Sequence, residues 1–142
     1  MAEKYSSYQL DYSKLFTSKY SAILNISPDH IERHKNLKNY VSAKFKLLDY
    51  QSKKSISFVK KGDLLINKKL KSKKYNPKII KVDLKKANKV IKHLKNKYFM
   101  SAGNLENLSF VLKISETLNL NSKKLIKTLN RFKGLKYRQQ II

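Results

Sequence analysis

Apolar and polar residues alternate between two periods along this chain, and the changes of period mark its elements. Tyr20, Ala22, Ile23, Leu24 and Ile26 form a short apolar run that stops at Pro28, the pattern of a buried strand. Leu37, Tyr40, Val41, Leu47 and Leu48 then fall at helical spacing, which predicts a helix from Leu37 to about Tyr50 with Asn36 as its N-cap. Ser55, Ile56, Ser57, Phe58 and Val59 read as a strand within Lys54–Lys60. Lys61-Gly62-Asp63 is a turn signal, Leu64-Leu65-Ile66 a second short strand, and residues 67–76 a lysine-rich loop. A strand is expected over Ile79–Val82, then a helix over Leu84–Lys95 from the spacing of Leu84, Ala87, Val90, Ile91 and Leu94.

Beyond Gly103, Leu105, Leu108, Val111, Leu112 and Leu118 line one helix face. Ser122 caps a last helix whose apolar side is Leu125, Ile126, Leu129 and Phe132, with Gly134 as its stop. At the other end, Tyr5, Tyr8 and Leu10 read as a strand end and a turn. Strands alternating with helices give an α/β class with a mainly parallel sheet flanked by helices. No internal repeat occurs, and no composition break divides the 142 residues into two domains.

One residue is out of place in this pattern. Lys44 falls in the middle of the apolar face of the Leu37 helix, where a charged ammonium is costly to bury. A lone lysine there most often lays its methylenes on the core and carries its charge outward. Asp29 alone reads as a turn residue, and His30 as a satisfied histidine. Together, a strand end, then Pro28, Asp29 and His30, then a helix with an inward lysine, make the layout of a ligand site at the carboxyl edge of an α/β sheet.

Composition narrows the partners. Hydrophobic residues make up 41%, enough to form a core, and no apolar run is long enough to cross a bilayer. No signal-peptide pattern opens the sequence, and there is no cysteine, so neither a disulfide nor a thiolate metal site can form; a cytoplasmic protein fits. The formal net charge is +24, which raises nucleic acid as a partner. Nearly all of that charge is lysine spread along the whole chain, with arginine only at Arg33, Arg131 and Arg138, whereas base readout favours arginine forks. A lysine-rich nucleic-acid-binding module is therefore the second reading. Non-specific, salt-sensitive binding is the most that the charge by itself implies.

Asn25-Ile-Ser-Pro-Asp-His-Ile-Glu-Arg-His34 followed by Tyr40-Val-Ser-Ala-Lys44 resembles the central domain of the Mur ligases, ATP-dependent amide-forming enzymes of peptidoglycan synthesis. Ser6-Ser7-Tyr8-Gln9-Leu10 is similar to the form found in the D-glutamate-adding members. The likeness is specific over residues 4–48, moderate over 103–140 and weak by motif between them. It implies ATP and Mg2+ as cofactors, and UDP-N-acetylmuramoyl-L-alanine and D-glutamate as substrates. No specific nucleic acid and no membrane is implied.

By the same resemblance, His30 and Lys44 form a magnesium site, with the lysine carbamylated. A carbamate turns a cation into an anion, which suits a hard divalent ion that takes oxygen ligands. Ser6, Ser7, Gln9 and Asp29 correspond to contacts with substrate and phosphate. Asn104-Leu-Glu-Asn107 resembles the segment whose asparagines meet the adenine ring; side-chain amides suit a purine edge because each both donates and accepts. Gly134-Leu-Lys-Tyr137-Arg138 resembles the segment leaving the domain, with Tyr137 against the base and Arg138 on ribose or phosphate.

The chain departs from the family pattern in three places. Lys4 stands where the family has a metal-binding glutamate, Gly103 where it has a histidine, and Tyr137 where it has another. No Gly-Lys-Ser/Thr phosphate loop occurs among only 3 glycines. The resemblance thus implies a partial domain over residues 1–142, the later part of the ATP-binding central domain. It ends at the linker to a carboxy-terminal domain, needs the remainder of the ligase chain, and is not expected to turn over alone.

Overall fold

The computed structural model describes residues 9–10, 17–27 and 34–134. These fall into two compact units, the first running up to Lys81 and the second starting at Val82.

The first unit holds a parallel three-stranded sheet in the order β1-β2-β3, with β1 at Tyr20–Ile23, β2 at Ile56–Lys60 and β3 at Lys78–Val82. β1 and β2 pair in register, Ser21 opposite Ser57 and Ile23 opposite Val59. Helix α1 (Leu37–Asp49) connects β1 to β2, and α2 (Leu64–Ser72) connects β2 to β3. Helical crossovers are what parallel neighbours require, because a tight turn cannot return the chain to the starting edge. Asn36 caps α1 by accepting from Asn39 N at 2.8 Å, as its sequence position predicts.

The core of this unit packs Ile23, Ile26, Tyr40, Val41, Phe45, Leu48, Val59 and Ile66 together. Phe45, which the helical count leaves out, is fully buried, and Ala43 is nearly so. The apolar face of α1 is therefore wider than its leucines indicate. Beneath it runs a buried polar cluster. Ser21 Oγ lies 2.7 Å from Ser57 Oγ and donates to Gln51 Oε1 at 3.0 Å, while Ser57 Oγ also donates to Gln51 Oε1. Gln51 Nε2 donates to the Ser18 carbonyl at 2.9 Å. The cluster ties the end of α1 to both strands and satisfies hydroxyls that burial would otherwise leave costly.

In the second unit, α3 (Lys85–Val90) runs into a 3-10 turn over Ile91–His93, and a second such turn covers Lys97–Met100. Helices α4 (Ala102–Thr117) and α5 (Ser122–Arg131) follow. Ala87, Leu94, Phe99, Leu108, Leu112 and Leu129 form its core. Asn96 acts as a tie, its Nδ2 donating to the Leu129 carbonyl at 2.8 Å and to the Phe132 carbonyl at 2.6 Å.

Four sequence expectations are corrected. Leu64-Leu65-Ile66 is not a strand but the first turn of α2, and the helix runs on through most of the expected loop. Asp63 explains it: its side chain accepts from Ile66 N and caps the helix. The expected helix Leu84–Lys95 is short and tightens into the 3-10 turn from Ile91. The cap of α5 is Asn121, which accepts from Lys124 N, and Ser122 is the first helical residue. Gln9 and Leu10 are helical where a strand end was expected, with Leu10 buried. Gly134, expected as the stop of α5, lies two residues beyond the C-cap Phe132 and has φ +86°.

Candidate functional site

The inward lysine lies at the carboxyl edge of the sheet. α1 carries Lys44 back alongside the end of β1, where its Nζ donates to the Asn25 carbonyl at 3.3 Å. The same Nζ sits 4.9 Å from the centroid of the Tyr40 ring. Tyr40 is one helical turn earlier, and side chains four apart on a helix lie one above the other. Tyr40 is 3% exposed, and its ring also meets His34 at 5.4 Å. Lys44 itself is half-buried. Its charge is met by a carbonyl oxygen and an aromatic face at the edge of the core.

A second charged group reaches the same stretch from the other side. Asp63 ends the loop after β2 and uses its two carboxylate oxygens separately. Oδ1 accepts from Ile66 N at 2.9 Å and caps α2; Oδ2 accepts from Ile26 N at 3.4 Å. Gly62 allows the approach, with φ +85° in the left-handed region that side chains disfavour. Sequence reasoning missed Asp63 because the helix it caps was read as a strand. The available signal was an aspartate placed just before a run that continues at helical spacing through Leu70.

The described residues fit a magnesium carbamate in place but not in present contacts. The carboxyl ends of parallel strands are where α/β folds take ligands, and Lys44 is there. An anionic carbamate, however, would face the Asn25 carbonyl oxygen and the negative face of the Tyr40 ring, so the side chain would have to turn from both. Among the described residues no group of three or more His, Cys, Asp and Glu side chains comes together to hold a metal. His30 and Asp29 lie outside the described residues, as do Ser6, Ser7, Tyr137 and Arg138.

The two asparagines singled out for a nucleotide lie in the second unit, on α4. Asn104 is 7% exposed, and its Nδ2 donates to the Tyr98 carbonyl at 2.9 Å. That amide fastens the 3-10 turn to the helix it precedes. Asn107, three residues on, is exposed. Gln9, the remaining candidate, is exposed and helical.

Tyr75 and Glu116 are displaced from their usual ranges. Burial, helped by the nearby Asp49 carboxylate, pushes the Tyr75 hydroxyl up to about 12. A hydrogen bond from Lys113, with the charge of Lys86, holds the Glu116 carboxyl below its ordinary value on the surface between α3 and α4. Tyr75, Leu70 and Ile79, with Lys71, Lys73, Lys74 and Lys81, line a hollow of about 390 Å³ that includes none of the candidate residues.

Compared with known proteins, the chain matches the Mur ligase middle domain over residues 3–126. It is 28% identical over 157 aligned positions to the UDP-N-acetylmuramoylalanine–D-glutamate ligase of Rickettsia bellii, covering 96% of this chain and 35% of that protein. The ligase of the same name from Pseudothermotoga lettingae is 34% identical over 142 positions, covering 96% of this chain and 33% of that protein. A third, from Thermosipho melanesiensis, reaches 43% over 65 positions, 46% of this chain. The chain spans about a third of the length of the first two relatives.

Proposed function

This chain belongs to the Mur ligase middle-domain family, and on that premise we propose that residues 1–142 are one partial domain of an ATP-dependent ligase that joins D-glutamate to UDP-N-acetylmuramoyl-L-alanine. The reaction has two steps. ATP phosphorylates the terminal carboxylate of the acceptor to an acyl phosphate; the amine of D-glutamate then displaces phosphate and forms the amide. The relatives' names support the substrates.

The observation that carries the reading is the seating of Lys44 at the carboxyl edge of β1, with family membership behind it. When bound, magnesium supplies charge that offsets the transferring phosphoryl group. In this reading Lys44, as a carbamate, and His30 hold the metal, and Ser6, Ser7, Gln9 and Asp29 meet the substrate. Asn107, Tyr137 and Arg138 meet the nucleotide. Asn104 joins them only with what its amide has left after holding the Tyr98 carbonyl. The remainder of the ligase chain completes the phosphate site, since no Gly-Lys-Ser/Thr loop occurs in these residues. We place the reaction in the cytoplasm, where nucleotide-linked substrates and ATP are both at hand. No helix among the described residues is long and apolar enough to cross a membrane.

The test of the site is carbamate formation. With 13C-bicarbonate, the longest polypeptide that carries these residues is expected to show a carbamate carbon that disappears in Lys44→Arg. A carbamate spectrum unchanged by that substitution would remove Lys44 from the chemistry. The 142 residues by themselves are expected to give no amide product, and turnover by them alone would overturn the claim that they are incomplete.

A further inference from the structure

The Asn25 carbonyl and the Ile26 N–H belong to one peptide group, and that group is gripped at both ends. Lys44 Nζ donates to its oxygen at 3.3 Å and Asp63 Oδ2 accepts from its nitrogen at 3.4 Å. A cation at the carbonyl end and an anion at the N–H end both align with the peptide dipole, so each strengthens the other's hydrogen bond. The two charges come from different crossovers, Lys44 from α1 and Asp63 from the loop that starts α2. Between them they fix the plane of the last peptide before Ser27 and Pro28. Both bonds are at the long end of the hydrogen-bond range, so neither alone would set that plane firmly.

We propose that Asp63 is a positioning residue of this site. It holds the Asn25–Ile26 peptide with its carbonyl turned to Lys44, and so sets both where the Lys44 amine rests and the direction in which the chain leaves β1 toward Ser27. Its functional meaning rests on the ligase reading, in which the amine so placed is the one that takes up the carbamate. The capping bond to Ile66 is a separate duty of the same carboxylate, carried by its other oxygen.

The two duties can be separated because an amide has one oxygen where a carboxylate has two. Asp63→Asn keeps an N-cap of equal quality for α2 but offers Ile26 N no second acceptor. Two readouts follow it in the chain as it stands. Amide hydrogen exchange reports on Ile26 and Ile66, and lysine acylation read by mass spectrometry reports on Lys44 against Lys38 and Lys69. Lys38 is an exposed lysine on the same helix, and Lys69 reports on α1 against α2 through its bond to Ser42.

In Asp63→Asn, Ile66 is expected to stay protected. Ile26 exchange and Lys44 acylation should both rise roughly three- to tenfold, the scale of losing one hydrogen bond. Lys38 and Lys69 should be unchanged. Asp63→Ser, which also caps through one oxygen, should behave as Asp63→Asn does. Lys44 acylation equal to that of the parent, with Ile66 still protected, would overturn the proposal and leave Asp63 a cap only. Neither readout needs nucleotide, metal or turnover. The positioning role can therefore fail while Lys44 still carries a carbamate, and it can hold in a chain that forms none.

Discussion

The ammonium of Lys44 rests 4.9 Å over the ring of Tyr40, one turn earlier on the same helix. The pair accounts for a lysine on a face otherwise committed to the core, since the ring face replaces part of the solvation that the ammonium loses. The contact is expected to appear as a coupling of about 1 kcal/mol in a double-mutant cycle of Tyr40→Leu and Lys44→Met, measured by urea unfolding. Strict additivity would show that the ring and the ammonium are neighbours without interacting.

The core beneath them gives the largest expected loss. Phe45 is fully buried against Tyr75, with ring centroids 5.5 Å apart. Phe45→Ala should cost about 3–5 kcal/mol. A marginal domain of this size loses much of its cooperative transition at such a cost. A loss below about 1 kcal/mol would mean that α1 does not seat on the sheet as described.

Gln51 is the hub of the polar cluster between α1 and the first two strands. Gln51→Ala strips the Ser21 and Ser57 hydroxyls of a shared acceptor and the Ser18 carbonyl of a donor. The expected cost is about 1–3 kcal/mol. Ser21→Ala should cost less than Gln51→Ala, because Gln51 Oε1 keeps the Ser57 hydroxyl as a donor and Gln51 Nε2 keeps the Ser18 carbonyl. The reverse order in urea unfolding would contradict the network.

Tyr75 offers a pH test whose sign is fixed. Its hydroxyl oxygen is buried and has no hydrogen-bond partner among the described residues. Its folded pKa, about 12, lies above the ordinary tyrosine value near 10. A group with a raised folded value contributes its stability fully below the unfolded value and loses it as pH climbs to the folded one. Stability should therefore fall between about pH 10 and 12, and Tyr75→Phe should remove that part of the fall. At neutral pH the substitution should be neutral or stabilising by about 1 kcal/mol, because it deletes an unsatisfied polar atom. A tyrosinate absorbance step for Tyr75 near pH 10 would contradict the burial.

How much could be read from the sequence depended on whether period or chemistry settled the question. The helices starting at Leu37 and Ala102 and the strands at Ile56 and Ile79 were legible because their apolar spacing is unambiguous, although Gly103, expected ahead of the second helix, lies inside it. The cap at Asn36 could be read from its position alone. Leu64-Leu65-Ile66 was not, since three consecutive apolar residues fit a short strand as well as the first turn of a helix, and only the Asp63 cap decides between them. The role of Asp63 at the site was lost with it. Lys44 could be recognised as anomalous because a charge interrupts an apolar face, but its partners, a ring on its own helix and a carbonyl 19 residues earlier, depend on how α1 lies against β1. For Asn104 the motif was visible, while its bond to Tyr98 was not, because the 3-10 turn that supplies the carbonyl has no periodic signature.

Transfer of labelled D-glutamate tests the ligase reading most directly. The longest polypeptide that carries these residues, given UDP-N-acetylmuramoyl-L-alanine, Mg-ATP and radiolabelled D-glutamate, should form labelled amide and release phosphate in equal amounts, with L-glutamate a poor substitute. Lys44→Ala should lower the rate about 10²-fold or more, the scale of losing a group that stabilises transition-state charge. Labelled product formed at the parent rate by Lys44→Ala, or no D-glutamate incorporation by a folded parent, would contradict it.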